Sequence, residues 1–151
     1  METFNEKFHP LLGIVVDKQI HPLIELLRQD QRYHLEAYQF VRESLAYAQE
    51  VLQFPSNDSA RQEGEGENHI SGQQLCEAIR LYAIEQFGYM AKTVLNTWGV
   101  YSTSDFGEIV YNLIRIKHMK KSKRDRLEDF DKVYDFSTAF DPNFELAGND
   151  E

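Results

Sequence analysis

The chain is poor in the residues that most often reveal an activity. Cys76 is its one cysteine among 151 residues, so an internal disulfide is excluded, and no Cys/His spacing is typical of a zinc site. The longest apolar stretch, residues 8–27, is interrupted by prolines and charges, and it is not predicted to span a bilayer. Glu2 and Glu6 stand where a secretory signal would have basic residues. We therefore expect a soluble cytoplasmic protein without a metal or cofactor.

Basic residues are also scarce. The chain has 16 Lys and Arg against 25 Asp and Glu, and its formal net charge of −9 repels nucleic acid and anionic membranes. Hydrophobic residues make up 42% of the chain, with 10 Phe and 8 Tyr, which suits a packed core. The length favours one domain.

Helix start and stop signals follow one another from Ser71 to about residue 136. Ser71 and Gln74 have the spacing of a capping box. Gly99 stands where a helix would end in a left-handed residue, and Val100 would then contact Leu95 in a Schellman motif. Cooperating signals of this kind indicate a helical protein.

The predicted organisation is a mainly all-α fold, a compact bundle of about five to seven helices. Apolar spacing predicts helices over residues 22–30, 34–54 and 103–117, one from Gly72 that kinks or breaks at Gly88, a short one capped by Ser122, and a last turn near Phe136. LLGIVV near the N-terminus fits either a helix or a short strand. We divide the chain into an N-terminal extension (1–22), one helical domain (23–140) with a mobile linker (55–68), and an acidic tail (141–151).

Four blocks in this order resemble a family of small conserved proteins described mainly from planctomycete and verrucomicrobial bacteria. They are DQRYHLEAYQFV, ISGQQLCEAIRLYAIEQFGYMAKTVLNTWGV, TSDFGEIVYNLI and EDFDKVYDF, within residues 30–136. The resemblance implies a small soluble protein and no assigned activity. Residues 1–22 and the basic residues of 115–126 depart from the family pattern, so a function tied to them would be special to this chain.

No catalytic residues are predicted, although several patterns were weighed. Asp105-Phe106-Gly107 copies the kinase magnesium motif in letters only, since a kinase also needs a Gly-rich loop, a strand lysine and a catalytic loop. An enzyme site assembled from Glu85, Asp105 and Glu108 is an alternative if their helices face one another, but the paired Glu-x-x-His motifs of di-metal bundles are absent. We favour a helix N-terminus for Asp105, a core position for Phe106 and a close helix contact for Gly107.

Three other patterns have a structural interpretation that we favour. Cys76 follows a helix start, where a dipole could lower a thiol pKa, but a small half-buried side chain is the simpler interpretation. Residues 98–102 have the length of a helix-turn-helix connection, yet Asp105 and Glu108 on the second helix would repel phosphates. The histidines are scattered along the chain as His9, His21, His34, His69 and His118.

One segment contrasts with the acidic composition. Residues 115–126, the basic segment, hold seven of the 16 basic residues and one acid, a net charge of +6 that leaves −15 elsewhere. Residues 127–151 have eight acids and one lysine, so a solvated loop neutralised by the tail is one interpretation. The other is a contact surface for an acidic protein, or alternatively for nucleic acid or phosphates, on a small interaction or regulatory module. The partner-binding residues would be Arg115, Lys117, Lys120, Lys121, Lys123, Arg124 and Arg126.

Overall fold

The fold was obtained as a computed structural model, which describes residues 8–9, 14–15, 20–54, 70–141 and 143. The predicted linker at 55–68 lies outside these residues, as do most of the predicted N-terminal extension and acidic tail. Two short antiparallel strands pair Phe8 with Val15 and His9 with Ile14. The elements are β1 (Phe8–His9), β2 (Ile14–Val15), α1 (Ile20–Gln29), α2 (Leu35–Glu50), α3 (Gly72–Phe87), α4 (Ala91–Thr97), α5 (Thr103–Arg115) and α6 (Phe136–Ala139), with 3-10 turns at Gly88–Met90 and Leu127–Phe130.

Helices α2, α3 and α5 pack against one another and enclose the core. Tyr38 of α2, Ile79 of α3 and Ile109 of α5 are completely buried. The 3-10 turn Leu127–Phe130 covers α3 and α5 from the side of the basic segment. This arrangement confirms the predicted mainly helical fold. Within the described ranges, no helix has both the length and the hydropathy needed to cross a membrane.

The predicted caps at Ser71 and Gly99 are confirmed. The Ser71 hydroxyl accepts from the Gln74 amide at 3.1 Å, and the Gln74 side chain accepts from the Ser71 amide at 3.0 Å. Gly99 has φ +92°, and the Val100 amide donates to the Leu95 carbonyl at 3.0 Å, which is the long bond of a Schellman motif. These polar contacts satisfy backbone groups that the ends of α3 and α4 would otherwise leave unpaired.

Gly88 breaks the helix rather than kinking it. Its φ of +57° and ψ of −130° end α3, and a 3-10 turn leads into α4. Glycine reaches these angles because it lacks a β-carbon.

The observed helices differ from the predicted ones in three places. No helix starts at Ser122: residues 123 to 126 offer no apolar side chain to bury, so a polar turn forms there, and a 3-10 turn follows at Leu127–Phe130. Helix α2 ends at Glu50 instead of residue 54, and Val51 beyond it is 63% exposed. Helix α5 ends at Arg115, two residues before its predicted end, because Lys117 leaves the helical region.

Candidate functional site: the basic segment

The basic segment begins where α5 ends, at a left-handed lysine. Lys117 has φ +65°, its amide donates to the Ile114 carbonyl at 2.9 Å, and the His118 amide donates to the Leu113 carbonyl at 2.8 Å. This pair of bonds is a second Schellman motif, with lysine in the position that glycine usually occupies. Sequence reasoning missed it because glycine is the residue that marks such an end.

A compact turn around Ser122 shapes the rest of the segment. The Asp125 carboxylate accepts from the Ser122 amide at 2.9 Å, and the Ser122 hydroxyl accepts from the Arg124 amide at 3.2 Å. Ser122 itself is buried. Ser122, predicted to cap a helix, therefore closes a polar turn with Asp125 instead.

Phe130 anchors the end of the segment to two helices. A β-carbon on Gly107 of α5 would lie 2.9 Å from Phe130 Cβ, and one on Gly72 of α3 would lie 3.0 Å from the same ring. Both glycines thus allow the ring to approach a helix backbone. The close contact predicted for Gly107 is present, with Phe130 as its partner.

All seven basic side chains of the segment are exposed. The hydrogen bonds around Lys117 and Ser122 order the backbone of the segment, and the Lys121 ammonium donates to the Ser122 carbonyl at 3.2 Å. The members of this set are Arg115, Lys117, Lys120, Lys121, Lys123, Arg124 and Arg126.

The three carboxylates considered as an enzyme site do not form one cluster. Asp105 accepts from the Tyr33 hydroxyl at 2.6 Å and from the Tyr101 amide at 2.8 Å. Glu108 pairs with Arg32 at 3.3 Å. Glu85 instead lies beside Tyr47 on the α2–α3 side, where burial and then this carboxylate raise the Tyr47 pKa. No group of three or more His, Cys, Asp or Glu residues in the described part of the chain could hold a metal ion.

The other sequence candidates fit structural roles. Cys76 is fully buried, more than predicted, and burial followed by nearby Glu77 raises the pKa of its thiol, opposite to the lowering expected from a helix dipole. Helix α5, the would-be recognition helix, buries most of its residues in the core. His21 and His34 are exposed, and His69 and the side chain of His9 lie outside the described residues.

A polar network that the sequence did not reveal joins α1 to α5. The Asp30 carboxylate accepts from Arg32 at 2.8 and 3.0 Å and from Asn112 at 3.1 Å. Asn112 also donates to the Tyr38 hydroxyl at 3.0 Å. The hydrogen bonds from Arg32 hold the pKa of Asp30 well below its usual value of 3.8. A buried asparagine on the apolar face of α5 was the available signal, since such a side chain requires partners.

The comparisons with known proteins give no match for this chain: neither a family model, nor a curated protein, nor a solved structure is similar enough. The resemblance to a bacterial family therefore stays a prediction.

Proposed function

We propose that this chain is a small intracellular interaction or regulatory module without catalysis, which binds an acidic protein through the basic segment. The exposure of all seven basic side chains on a hydrogen-bonded backbone is the observation that carries the proposal. A surface whose backbone is already ordered loses less conformational entropy on binding.

Three cations of the segment have no carboxylate partner among the described residues. Arg115, Lys117 and Lys120 make no ion pair with another described residue. Elsewhere in the described chain, cations such as Arg32 and Arg80 do pair with carboxylates, at 2.8 and 2.7 Å. Arg115, Lys117 and Lys120 therefore remain available to an acidic partner.

An acidic protein segment fits this surface better than nucleic acid does. Residues 115–126 contain no Phe, Tyr or Trp on which a base could stack. The −15 charge outside the segment repels a long polyanion, whereas a short acidic peptide meets only the local positive field. At physiological salt, charges are screened beyond about 8 Å, so the charges nearest to the bound peptide determine its affinity. Nucleic acid or phosphate binding is the second candidate, because the same cations would pair with phosphates.

The test compares two variants that lose the same charge. Fluorescence anisotropy would measure binding of a labelled polyglutamate peptide and of labelled DNA at physiological salt. Removing the cations of K120S/K121S/K123S/R124S should weaken peptide binding by about tenfold or more, because interface charges favour association. The control R28S/R42S/K92S/K132S removes four exposed cations outside the segment and should bind like the wild type.

The outcomes separate the alternatives. Equal weakening in both variants would indicate attraction by net charge alone and would refute the proposed surface. Tighter binding of DNA than of peptide would favour the second candidate. Removing residues 141–151 deletes Asp141, Glu145, Asp150 and Glu151, and it should strengthen binding if the tail screens the segment.

A further inference from the structure

A cavity of about 480 Å³ lies between the helices and the basic segment. Its size falls within the range of about 300 to 1,000 Å³ that is typical of small-molecule sites. The apolar part of its lining comes from α2, α3 and α5 through Leu45, Leu75, Val110 and Ile114. Its polar part comes from Gln49 of α2, Ser71, Tyr111 of α5, and residues between 118 and 129 that include two lysines and two aspartates. A mostly apolar cavity with a few polar groups on one side suits an amphipathic ligand.

Three buried polar atoms in this lining lack a partner. The Tyr111 hydroxyl oxygen and both ring nitrogens of His118 are shielded from solvent, and none forms a hydrogen bond with another described residue. The Schellman bond from the His118 amide to the Leu113 carbonyl orders the His118 backbone at the end of α5. Native proteins rarely leave buried polar atoms unpaired, so a group from outside the chain is expected to pair with them.

Charged side chains of both signs line the cavity. Lys120 and Lys121 also line it. The carboxylates of Asp125 and Asp129 already accept from backbone amides at 2.9 and 3.1 Å. Burial, with Asp125 and Asp129 nearby, raises the Tyr111 pKa, so its hydroxyl remains a donor at neutral pH. At least one His118 ring nitrogen carries a proton, so it, the Tyr111 hydroxyl and Lys120 can donate to a ligand in the cavity.

The geometry points to a binding site for a small organic carboxylate, which accepts hydrogen bonds from Tyr111 and His118 and places its apolar tail beside Leu45, Leu75 and Ile114. This site does not depend on the proposed acidic partner, although Lys120 and Lys121 border both. Nothing in the predicted motifs indicated it, because the cavity exists only after distant elements have packed.

The experiment titrates the full chain with octanoate, octan-1-ol and octylammonium, which share a chain and differ in the head group. Methyl NMR should show octanoate shifting the signals of Leu45, Leu75 and Ile114, while Leu95 in the core stays unchanged. Octanoate should bind more tightly than the alcohol, and the ammonium should bind least. Equal binding of octanol would overturn the carboxylate assignment, and no shift at these methyls would overturn the site.

A pair of Tyr→Phe variants tests the hydrogen bond. Tyr111→Phe should weaken octanoate binding by about tenfold, since it removes a donor to a charged group. Tyr101→Phe is the control, because Tyr101 is 64% exposed and lies outside the cavity lining. Unchanged octanoate affinity in Tyr111→Phe, with a native melting curve, would refute the assigned donor. Polyglutamate binding should be the same in both variants, so failure of this site and failure of the proposed function are distinguishable.

Discussion

Single residues with positive φ decide how three helices end, and they do so under different constraints. Gly99 lies where a β-carbon would be 2.1 Å from the Arg32 carbonyl oxygen, so both its conformation and the adjacent backbone require glycine. From the left-handed conformation alone, the sequence indicates a cost of about 1 kcal/mol for alanine. The structure raises that cost because a backbone atom cannot move aside as a flexible side chain can.

Gly99→Ala should therefore destabilise the protein by about 2 kcal/mol or more. Gly88→Ala is the matched control: its φ is +57°, but nothing lies within 4 Å of the added carbon. Its ψ of −130° lies outside the left-handed helical region, so the control should lose only its own conformational contribution, about 1 to 3 kcal/mol. Urea unfolding measures both, and equal losses would show that the contact with Arg32 adds nothing.

Lys117 presents the opposite case, a side chain in a conformation that glycine adopts more easily. Lys117→Gly should stabilise the protein by up to about 1 kcal/mol, because relief of the left-handed strain exceeds the added freedom of the unfolded chain. Lys120→Gly, at another exposed lysine of the same segment that lacks positive φ, should be neutral or slightly destabilising. A loss of stability in Lys117→Gly would contradict the strain interpretation.

At the scale of elements, the sequence predicted features that depend on local chemistry. Ser71 with Gln74 and Gly99 with Val100 were predictable because each cap involves residues within one helical turn. The Ser122 turn was misassigned since the same Ser and Asp contacts serve a helix cap and a polar turn. The exposure of the basic segment could be predicted because charged side chains remain in water. Tyr111 and His118 could not be predicted as a site, because their surroundings come from residues distant in the chain.

The contact of Phe130 with α5 offers a test of element packing. Gly107→Ala places a β-carbon 2.9 Å from Phe130 Cβ and should destabilise the fold by about 1 to 3 kcal/mol, as overpacking usually does. A double-mutant cycle with Phe130→Leu should give a coupling free energy of at least about 0.5 kcal/mol, since the smaller side chain relieves the contact. Additive losses would show that the two residues do not act on each other.

At the scale of the whole molecule, acid stability depends on carboxylates that are hydrogen-bonded in the folded state. Asp30 joins the loop after α1 to α5, and the Arg32 hydrogen bonds keep its pKa below the usual 3.8. Because the folded pKa is the lower one, the ionised form stabilises the native state. This contribution is fully present above the unfolded pKa and is lost as the pH falls below about 4 towards the folded pKa.

Asp30→Asn should accordingly flatten the fall in stability between pH 4 and 2, a window that begins at the usual Asp30 pKa of 3.8. At neutral pH the variant should be less stable by about 1 to 2 kcal/mol, because it weakens charge-assisted hydrogen bonds from the half-exposed Arg32. Glu50→Gln, an exposed acid at the end of α2, controls for the change in net charge. Urea unfolding across this pH range measures the difference. If wild type and Asp30→Asn lose stability in parallel from pH 4 to 2, protonation of Asp30 does not cause the loss of stability in acid.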